Sequence, residues 1–353
     1  MTKLLFQKKF ILHPQFSKRI EEIHRFVRLP KDPIQIHPIG DQSLSSKGKL
    51  TLIEDCKIND SIKLNPTDGI YLQSEYSILA YDESIEKYPA LEGDGYLTCH
   101  SLILLTHTDY LSSNYLTFAF YTRSKRILEN VPSAQQIRDT DNSLSPNENP
   151  SEIAYKADYA NDRSKFILES CLDNAILFID GPLIGGQINA ITVKLNNDLL
   201  SKKHSLPVFV VKNSSSNLVT DNIPELKGEY NSDLHWAYEH LNEGERTPLF
   251  LYRDLVNSQF SKVFCYMKPF KNSSTQRIEV HPTAYQGNEK LFSSVLDLIY
   301  YYYLDQGPEK NIQIRPIAIA EMYARETKKL YNMRRIMQSS QIQPTMNNQR
   351  GMM

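Results

Sequence analysis

The sequence predicts an α/β protein, a mixed sheet flanked by helices, and three observations carry that reading. Two short continuous apolar runs, AILFIDG (175–181) and LPVFVV (206–211), have the length and the bounding turn residues of strands buried on both faces. Helical stretches at about 152–172 and 187–203 alternate with them, the order expected of a largely parallel sheet with covered faces. Upstream, YSILAYD (76–82), YLTCHSLILLTH (96–107) and NYLTFAFYT (114–122) are rich in β-branched, aromatic and leucine residues and read as strands.

The remaining elements follow in chain order. Residues 1–72 form a β-rich N-terminal section. It opens on a helical stretch at Phe16–Val27 and continues in short extended pieces (IHPIGDQS, KLTLIEDCKI, SIKLNPTDG) divided by Pro, Gly, Asn and Asp. A polar, turn-forming segment at 133–152 predicts an exposed loop. KVFCYMKPF (262–270) and QRIEVHP (276–282) read as further strands, and 288–304 and 316–336 as helices. Residues 73–335 are thus taken as one α/β domain, and the polar tail 336–353 as disordered.

Composition excludes several classes. With 41% hydrophobic and 23% charged residues, the 353-residue chain is that of an ordinary globular protein. No apolar run approaches the roughly 20 residues needed to cross a bilayer. Lys8 and Lys9 interrupt the short N-terminal apolar stretch, a poor secretory signal, so a cytoplasmic location without membrane attachment is expected. The four cysteines, Cys56, Cys99, Cys171 and Cys265, lie far apart without a CxxC pair, which argues against a zinc ribbon or a disulfide framework. Forty basic and 41 acidic residues nearly cancel, so a nucleic-acid enzyme built on this chain needs a local basic groove.

Three acids stand out. Asp82 closes the strand in AYDES and Asp180 the strand in FIDGP, and α/β sheets place their chemistry at such carboxyl ends. Glu169 lies three residues after Phe166 and three before Leu172, on a helix stripe shared with apolar side chains. A buried carboxylate needs a partner, and a divalent cation is one. Carboxylates holding one or two Mg²⁺ or Mn²⁺ ions can bring water to a phosphodiester ringed by negative oxygens. The bland readings stay open: Asp-Gly after a strand is a turn signal, and Glu169 could pair with Arg163 or Lys165. Arg246 and Lys268 are candidates for backbone phosphate contacts, against the alternative of solvated charges. His281 at a strand end, and Gln187 or Asn189 at the start of a helix, are weaker candidates for substrate contact. Of the tyrosine run 300–303, two rings are expected to pack inward or across a subunit interface.

From AILFIDGPLIGG outward the chain resembles the NurA family, nucleases that work with a HerA-type hexameric DNA translocase in end processing. The ordered set AYDES, RSKFILES, IDGPL, PVFVVKNSSS, GERTPLF, QRIEVHP and RPIAIAEMYARE carries the resemblance from about residue 75 to 330. It implies an RNase H-like fold with Asp82, Glu169 and Asp180 as catalytic metal ligands. Glu83 stands where the family's Asp-Gly-Ser motif has glycine, and Asp94 in LEGDGY competes with Asp82. Lys212 is placed near substrate phosphate. Tyr323 falls where the family often carries a histidine, leaving Glu321 or a water to complete the metal site. The resemblance further implies an Mn²⁺- or Mg²⁺-dependent DNase cutting single strands and resecting ends 5′ to 3′. It implies a two-fold homodimer docked on the translocase ATPase, acting in repair or antiviral defence. The rival readings are a catalytically weak adaptor of the same kind and a non-enzymatic α/β protein whose acids form ordinary ion pairs.

Overall fold

A computed structural model gives the fold. It describes residues 48–345, except 107–108, 131–133, 138–149, 186–187, 309–311 and 341, together with Gln15 and Lys18. The helix expected at Phe16–Val27 lies outside the described residues, Lys18 apart. Every element below belongs to the compact unit Ile36–Met353.

The first half of that unit runs β1 (Gly48–Leu52), β2 (Ile62–Lys63), α1 (Pro66–Gly69), α2 (Leu72–Glu75), β3 (Ser77–Pro89), β4 (Asp94–Leu105) and β5 (Tyr110–Thr122). Then come α3 (Lys125–Asn130), β6 (Ala134–Gln136), α4 (Pro150–Ser170), β7 (Ala175–Asp180), α5 (Asn189–Lys203) and β8 (Leu206–Val211). The rest is α6 (Asp233–His240), β9 (Glu245–Arg246), β10 (Phe250–Asp254), β11 (Lys262–Lys268), β12 (Gln276–Val280), α7 (Pro282–Tyr285), α8 (Glu289–Gln306), α9 (Arg315–Lys329) and α10 (Met333–Ser339).

All the strands join one mixed sheet in the order β1-β10-β11-β12-β8-β7-β3-β4-β5-β6, with β9 bridging β11 and β2. The β3–β7–β8 centre is parallel, as the alternation of apolar runs and helices predicts. Around it most pairings are antiparallel, including β3–β4, β4–β5, β12–β8 and β11–β12, so the sheet as a whole is mixed. β1 and β2, from the N-terminal β-rich section, pair with β10 and β9 of the C-terminal half.

Strand alternation sorts the core into two layers. Ile78, Ala80, Ile176, Phe178, Val208 and Val210 face α8 and α9, where Phe292, Val295, Ile299, Tyr303, Ile317 and Ala320 cover them. Leu79, Tyr81, Leu177, Ile179 and Phe209 face the other way, under Phe166 and Ile167 of α4 and Leu195 and Leu199 of α5. Tyr302 and Tyr303 are the two inward rings of the tyrosine run. Gly69 permits α1 to rest on α8, since a Cβ there would stand 2.2 Å from the backbone nitrogen of Leu298.

Three expectations need correction. Asp82 does not close its strand: β3 runs on to Pro89, because β4 keeps pairing with it through Pro89↔Asp94. The segment 133–152 is not wholly loop, since β6 pairs with the end of β5 and α4 begins at Pro150; residues 138–149 lie outside the described residues. The tail is packed at its described residues, 336–340 and 342–345. Met333 and Met337, one helical turn apart on α10, bury against Tyr88, Leu97 and Phe120, and Pro344 bridges to Ala90.

Phe178, fully buried in the central strand, carries a large share of this packing. Phe178→Ala is expected to lower unfolding free energy by about 3–5 kcal/mol. Phe118→Ala, at a ring 48% exposed on β5, should change it by no more than about 0.5 kcal/mol. Urea midpoints of the two variants check this.

Candidate active site

Positions 78, 80 and 82 of β3 share a sheet face, as do 176, 178 and 180 of β7, so Asp82 and Asp180 both point to the α8–α9 side. Lys212 continues the 208–210 series of β8 onto the same face. The β3–β7 ladder ends at Tyr81↔Ile179, and beyond it β3 keeps only β4. The two aspartates therefore stand where the parallel pairing opens, as expected for a crevice at the carboxyl ends of strands. Gly181 makes the turn out of β7 at φ +97°, a conformation strained for any other residue.

The Lys212 ammonium lies 3.0 Å from Asp180 Oδ2 and 4.0 Å from Asp82 Oδ2. It also donates to Gln313 Oε1 at 2.7 Å, and Gln313 Nε2 donates to Glu321 Oε2 at 2.7 Å. Glu321 in turn pairs with Arg325 one turn along α9. Lys212, Gln313 and Glu321 line a cavity of about 420 Å³ with Asn213, Asn272, Ser273 and Gln276.

One ammonium does not satisfy this much carboxylate. Burial pushes the Asp82 carboxyl up to about 9, helped by the like charges of Asp180 and Glu83 and opposed by Lys212. Burial also raises Asp180, to about 6; Lys212 holds it down while Glu83 and Glu321 push it up. Burial disfavours the Lys212 charge, yet Asp180 and Asp82 outweigh it and raise its pKa. Oδ2 of Asp82 and Oδ1 of Asp180 are buried without a hydrogen-bond partner. Buried oxygens of this kind are costly unless a cation or a proton meets them. An all-oxygen pair suits a hard divalent ion, so the residues present fit Mg²⁺ or Mn²⁺. Among the described residues, however, no three His, Cys, Asp or Glu side chains stand close enough together to hold a metal ion.

Glu169 does not join the pair. It is exposed near the C-terminal end of α4, and that helix leads directly into Ala175 at the opposite end of β7 from Asp180. Five strand residues separate the two ends, about 17 Å. A helix running back over β7 is level with Asp180 some eleven residues before its own end. That position is Tyr159, not Glu169.

The other candidates sort as follows. Asp94 lies seven residues of β3–β4 ladder from the level of Asp82, roughly 23 Å, beside Ser151 and Lys87. Asp82, not Asp94, therefore meets Asp180. Arg246 is no phosphate ligand as it stands, because both its terminal nitrogens bond Glu54, at 2.9 and 2.7 Å. Lys268 is buried and donates to the carbonyls of Tyr238 and Leu241, capping the end of α6. Tyr323 is half-buried against the apolar layer beneath α9. His281 caps α7, with its ring engaged by Thr283 and by the Gln259 carbonyl. Asn189 accepts from the backbone of Gly185, and Gln187 lies outside the described residues.

Sequence reasoning missed one group at the site, Gln313, which joins Lys212 to Glu321. It also missed the buried charges behind it. Glu279 is fully buried; it accepts from Lys262 and Arg277 and from the backbone of Leu183 at 2.8 Å, just after Asp180. Arg277 Nη1 reaches Ser214 and Ser216, just after Lys212. These bonds fasten the loops that follow β7 and β8. The alternation of R-x-E in QRIEVHP put both residues on one strand face, a legible signal that named no partner.

A family model described as NurA domain matches residues 68–326. No curated protein matches the chain. Among solved structures, the NurA nuclease from Sulfolobus solfataricus is 9% identical, with a TM-score of 0.49 over 89% of this chain and 92% of that one. An endonuclease V from Bacillus subtilis is 8% identical, with a TM-score of 0.35 over 76% and 85%. A NurA bound to dAMP and manganese is 8% identical, with a TM-score of 0.38 over 74% and 86%.

The raised carboxyls set a direction for stability against pH. The folded chain binds protons at Asp82 and Asp180 that the unfolded chain, with both near 3.8, has already released. Their stabilising contribution is complete below about pH 4. It is lost as pH rises through about 6 for Asp180 and about 9 for Asp82. In metal-free buffer the melting temperature should fall between about pH 5 and pH 8, and Asp82→Asn should make that fall smaller. An equal fall in both proteins would contradict the assignment.

Proposed function

We propose that this chain, which belongs to the NurA family, is a divalent-metal-dependent DNA nuclease that cuts single strands and resects ends 5′ to 3′. The observation that carries the reading is the convergence of Asp82 and Asp180, from separate strands, with one buried oxygen of each lacking a hydrogen-bond partner. Asp82 and Asp180 would hold Mg²⁺ or Mn²⁺, with Glu321 at the cavity wall. When bound, such an ion supplies positive charge at the phosphate and lowers the pKa of a coordinated water.

The chain's own residues supply the rest. Lys212 faces the cavity and offers its ammonium to a non-bridging phosphate oxygen. Gln313 fixes the position of that ammonium and ties it to Glu321. Asn213, Asn272 and Ser274, exposed at the cavity wall, give neutral hydrogen-bonding groups suited to a sugar–phosphate backbone rather than to a particular base. We assign the chain a homodimeric assembly and a HerA-type translocase ATPase as partner, in the cytoplasm. Among the described residues no helix is long and apolar enough to cross a membrane.

A second reading, a catalytically weak adaptor of the translocase, draws support from the exposure of Glu169 and from the want of a three-ligand group. Cleavage of labelled single-stranded DNA with Mn²⁺ separates the two. The nuclease reading expects cutting by the wild type and a loss of about a hundred-fold or more in Asp82→Asn and in Asp180→Asn. Wild-type cutting no faster than either variant favours the adaptor.

A further inference from the structure

We propose that the exposed junction between α9 and α10 is a second contact surface for single-stranded DNA, gripping the strand outside the Asp82–Asp180 cavity. The inference rests on the nuclease reading above for its choice of partner and concerns where the rest of the strand lies.

The chain as a whole is nearly neutral, with 40 basic and 41 acidic residues. Residues 325–335 nonetheless carry five cations, Arg325, Lys328, Lys329, Arg334 and Arg335, against Glu326 alone. All five are exposed except Lys328, which is half-buried. Three are paired at the surface: Arg325 with Glu321, Lys329 with Glu326, and Lys328 with Glu86 of β3 at 3.9 Å. Exposed pairs of this kind are weak and exchange readily for phosphate. Among the described residues the guanidinium groups of Arg334 and Arg335 have no acid partner. Leu330, 77% exposed, and Tyr331, 55% exposed, stand between these charges. Cations interleaved with an exposed ring suit a single strand, whose phosphates meet the charges while an unpaired base stacks on the ring.

The surface is fixed from below. Met333 and Met337 bury against Tyr88, Leu97 and Phe120, and Asn332 Oδ1 accepts from the backbone of Arg335 at 2.9 Å, capping α10. Backbone bonds from Leu330 to Thr327 and from Tyr331 to Lys328, both 3.1 Å, close the turn before it. A backbone held in this way lowers the ordering cost of binding. α9 links the surface to the cavity. Glu321 lines the cavity, Arg325 lies one turn further along, and Lys328 donates to the Ile85 carbonyl at 3.3 Å. From Glu321 to Lys328 is seven residues of helix, about 10 Å. From Asp82 to Ile85 is three residues of strand, again about 10 Å. A strand leaving the cavity beside Glu321 would meet Arg325 and Lys328 first, then Tyr331, Arg334 and Arg335.

Fluorescence anisotropy with a labelled oligothymidylate, in EDTA so that nothing is cut, tests this. Arg334→Ala combined with Arg335→Ala leaves Met333 and Met337 in place and puts a good helix former at both positions. The double variant should lose about ten-fold in affinity and flatten the dependence of log affinity on log salt by about 1.4, the share of two phosphates. Tyr331→Ala should cost about five-fold or more, the worth of one stacked base. Lys202→Ala, on α5 across the sheet, should stay within about two-fold of wild type. Melting temperatures verify that every variant folds. Wild-type affinity and salt slope in the double variant overturn the proposal, as does an equal loss in Lys202→Ala. Binding to phosphatidylserine vesicles that falls in the double variant while DNA affinity holds makes the surface a membrane contact and overturns it too. Cutting with Mn²⁺ separates this failure from that of the nuclease reading. If the double variant binds DNA as wild type and the wild type still cuts, only the second surface is wrong; if the wild type neither binds nor cuts single strands, the nuclease reading falls as well.

Discussion

One buried and one half-buried carboxylate, Asp82 and Asp180, beside one ammonium form the constraint on which the rest of this structure turns. Like charges in a low-dielectric crevice repel strongly, and removing water from them is costly. Lys212 offsets part of this, at 3.0 Å from one carboxylate and 4.0 Å from the other, and the remainder appears as raised proton affinity and unsatisfied oxygens. A fold built only for stability gains nothing from this arrangement. Under the proposed function, a divalent cation held there would relieve it.

The surrounding architecture supplies rigidity. The parallel β3–β7–β8 centre fixes the strand tips, and the α8–α9 layer closes over one face. Behind the tips, Glu279 and Arg277 tether the loops that leave β7 and β8. Burying an ion group of this kind is rarely a net gain in stability over apolar packing. Its bonds to Leu183, Ser214 and Ser216 give it a positional use: they hold the chain next to Asp180 and Lys212. Gln313 extends the same logic to the cavity side, joining Lys212 to Glu321.

Much of this was legible in the sequence. Continuous apolar runs mark β7 and β8 because strands covered on both faces have no polar side, and Asp180 is where the first run stops. Lys212, which follows the second run, was singled out by the family resemblance of PVFVVKNSSS and not by pattern. Asp82 was found for a partly mistaken reason: it lies just past the end of the pairing with β7, not at the end of the strand, and pairing partners are not written in local pattern. Glu169 misled because its neighbours at three-residue spacing are apolar, yet Leu172 is itself 42% exposed and the buried stripe runs through Tyr155, Arg163, Phe166 and Ile167. Counting helix rise against strand rise would have placed it at the wrong end of β7. Arg246 and Lys268 looked like free cations because their partners, Glu54 and the end of α6, are remote in sequence or carbonyls of the backbone. The packing of the tail was hidden by its polarity, since few apolar side chains, chiefly Met333, Met337 and Ile342, bring it down.

The central claim is that the Asp82–Asp180 crevice is a divalent-cation site. Anomalous diffraction at the manganese edge, from crystals grown with MnCl₂, addresses it directly. The account predicts one peak within ligand distance of both aspartates, with the Lys212 ammonium displaced from the 3.0 Å contact it makes with Asp180. A crevice without anomalous signal at saturating Mn²⁺, with that lysine contact intact, would contradict it.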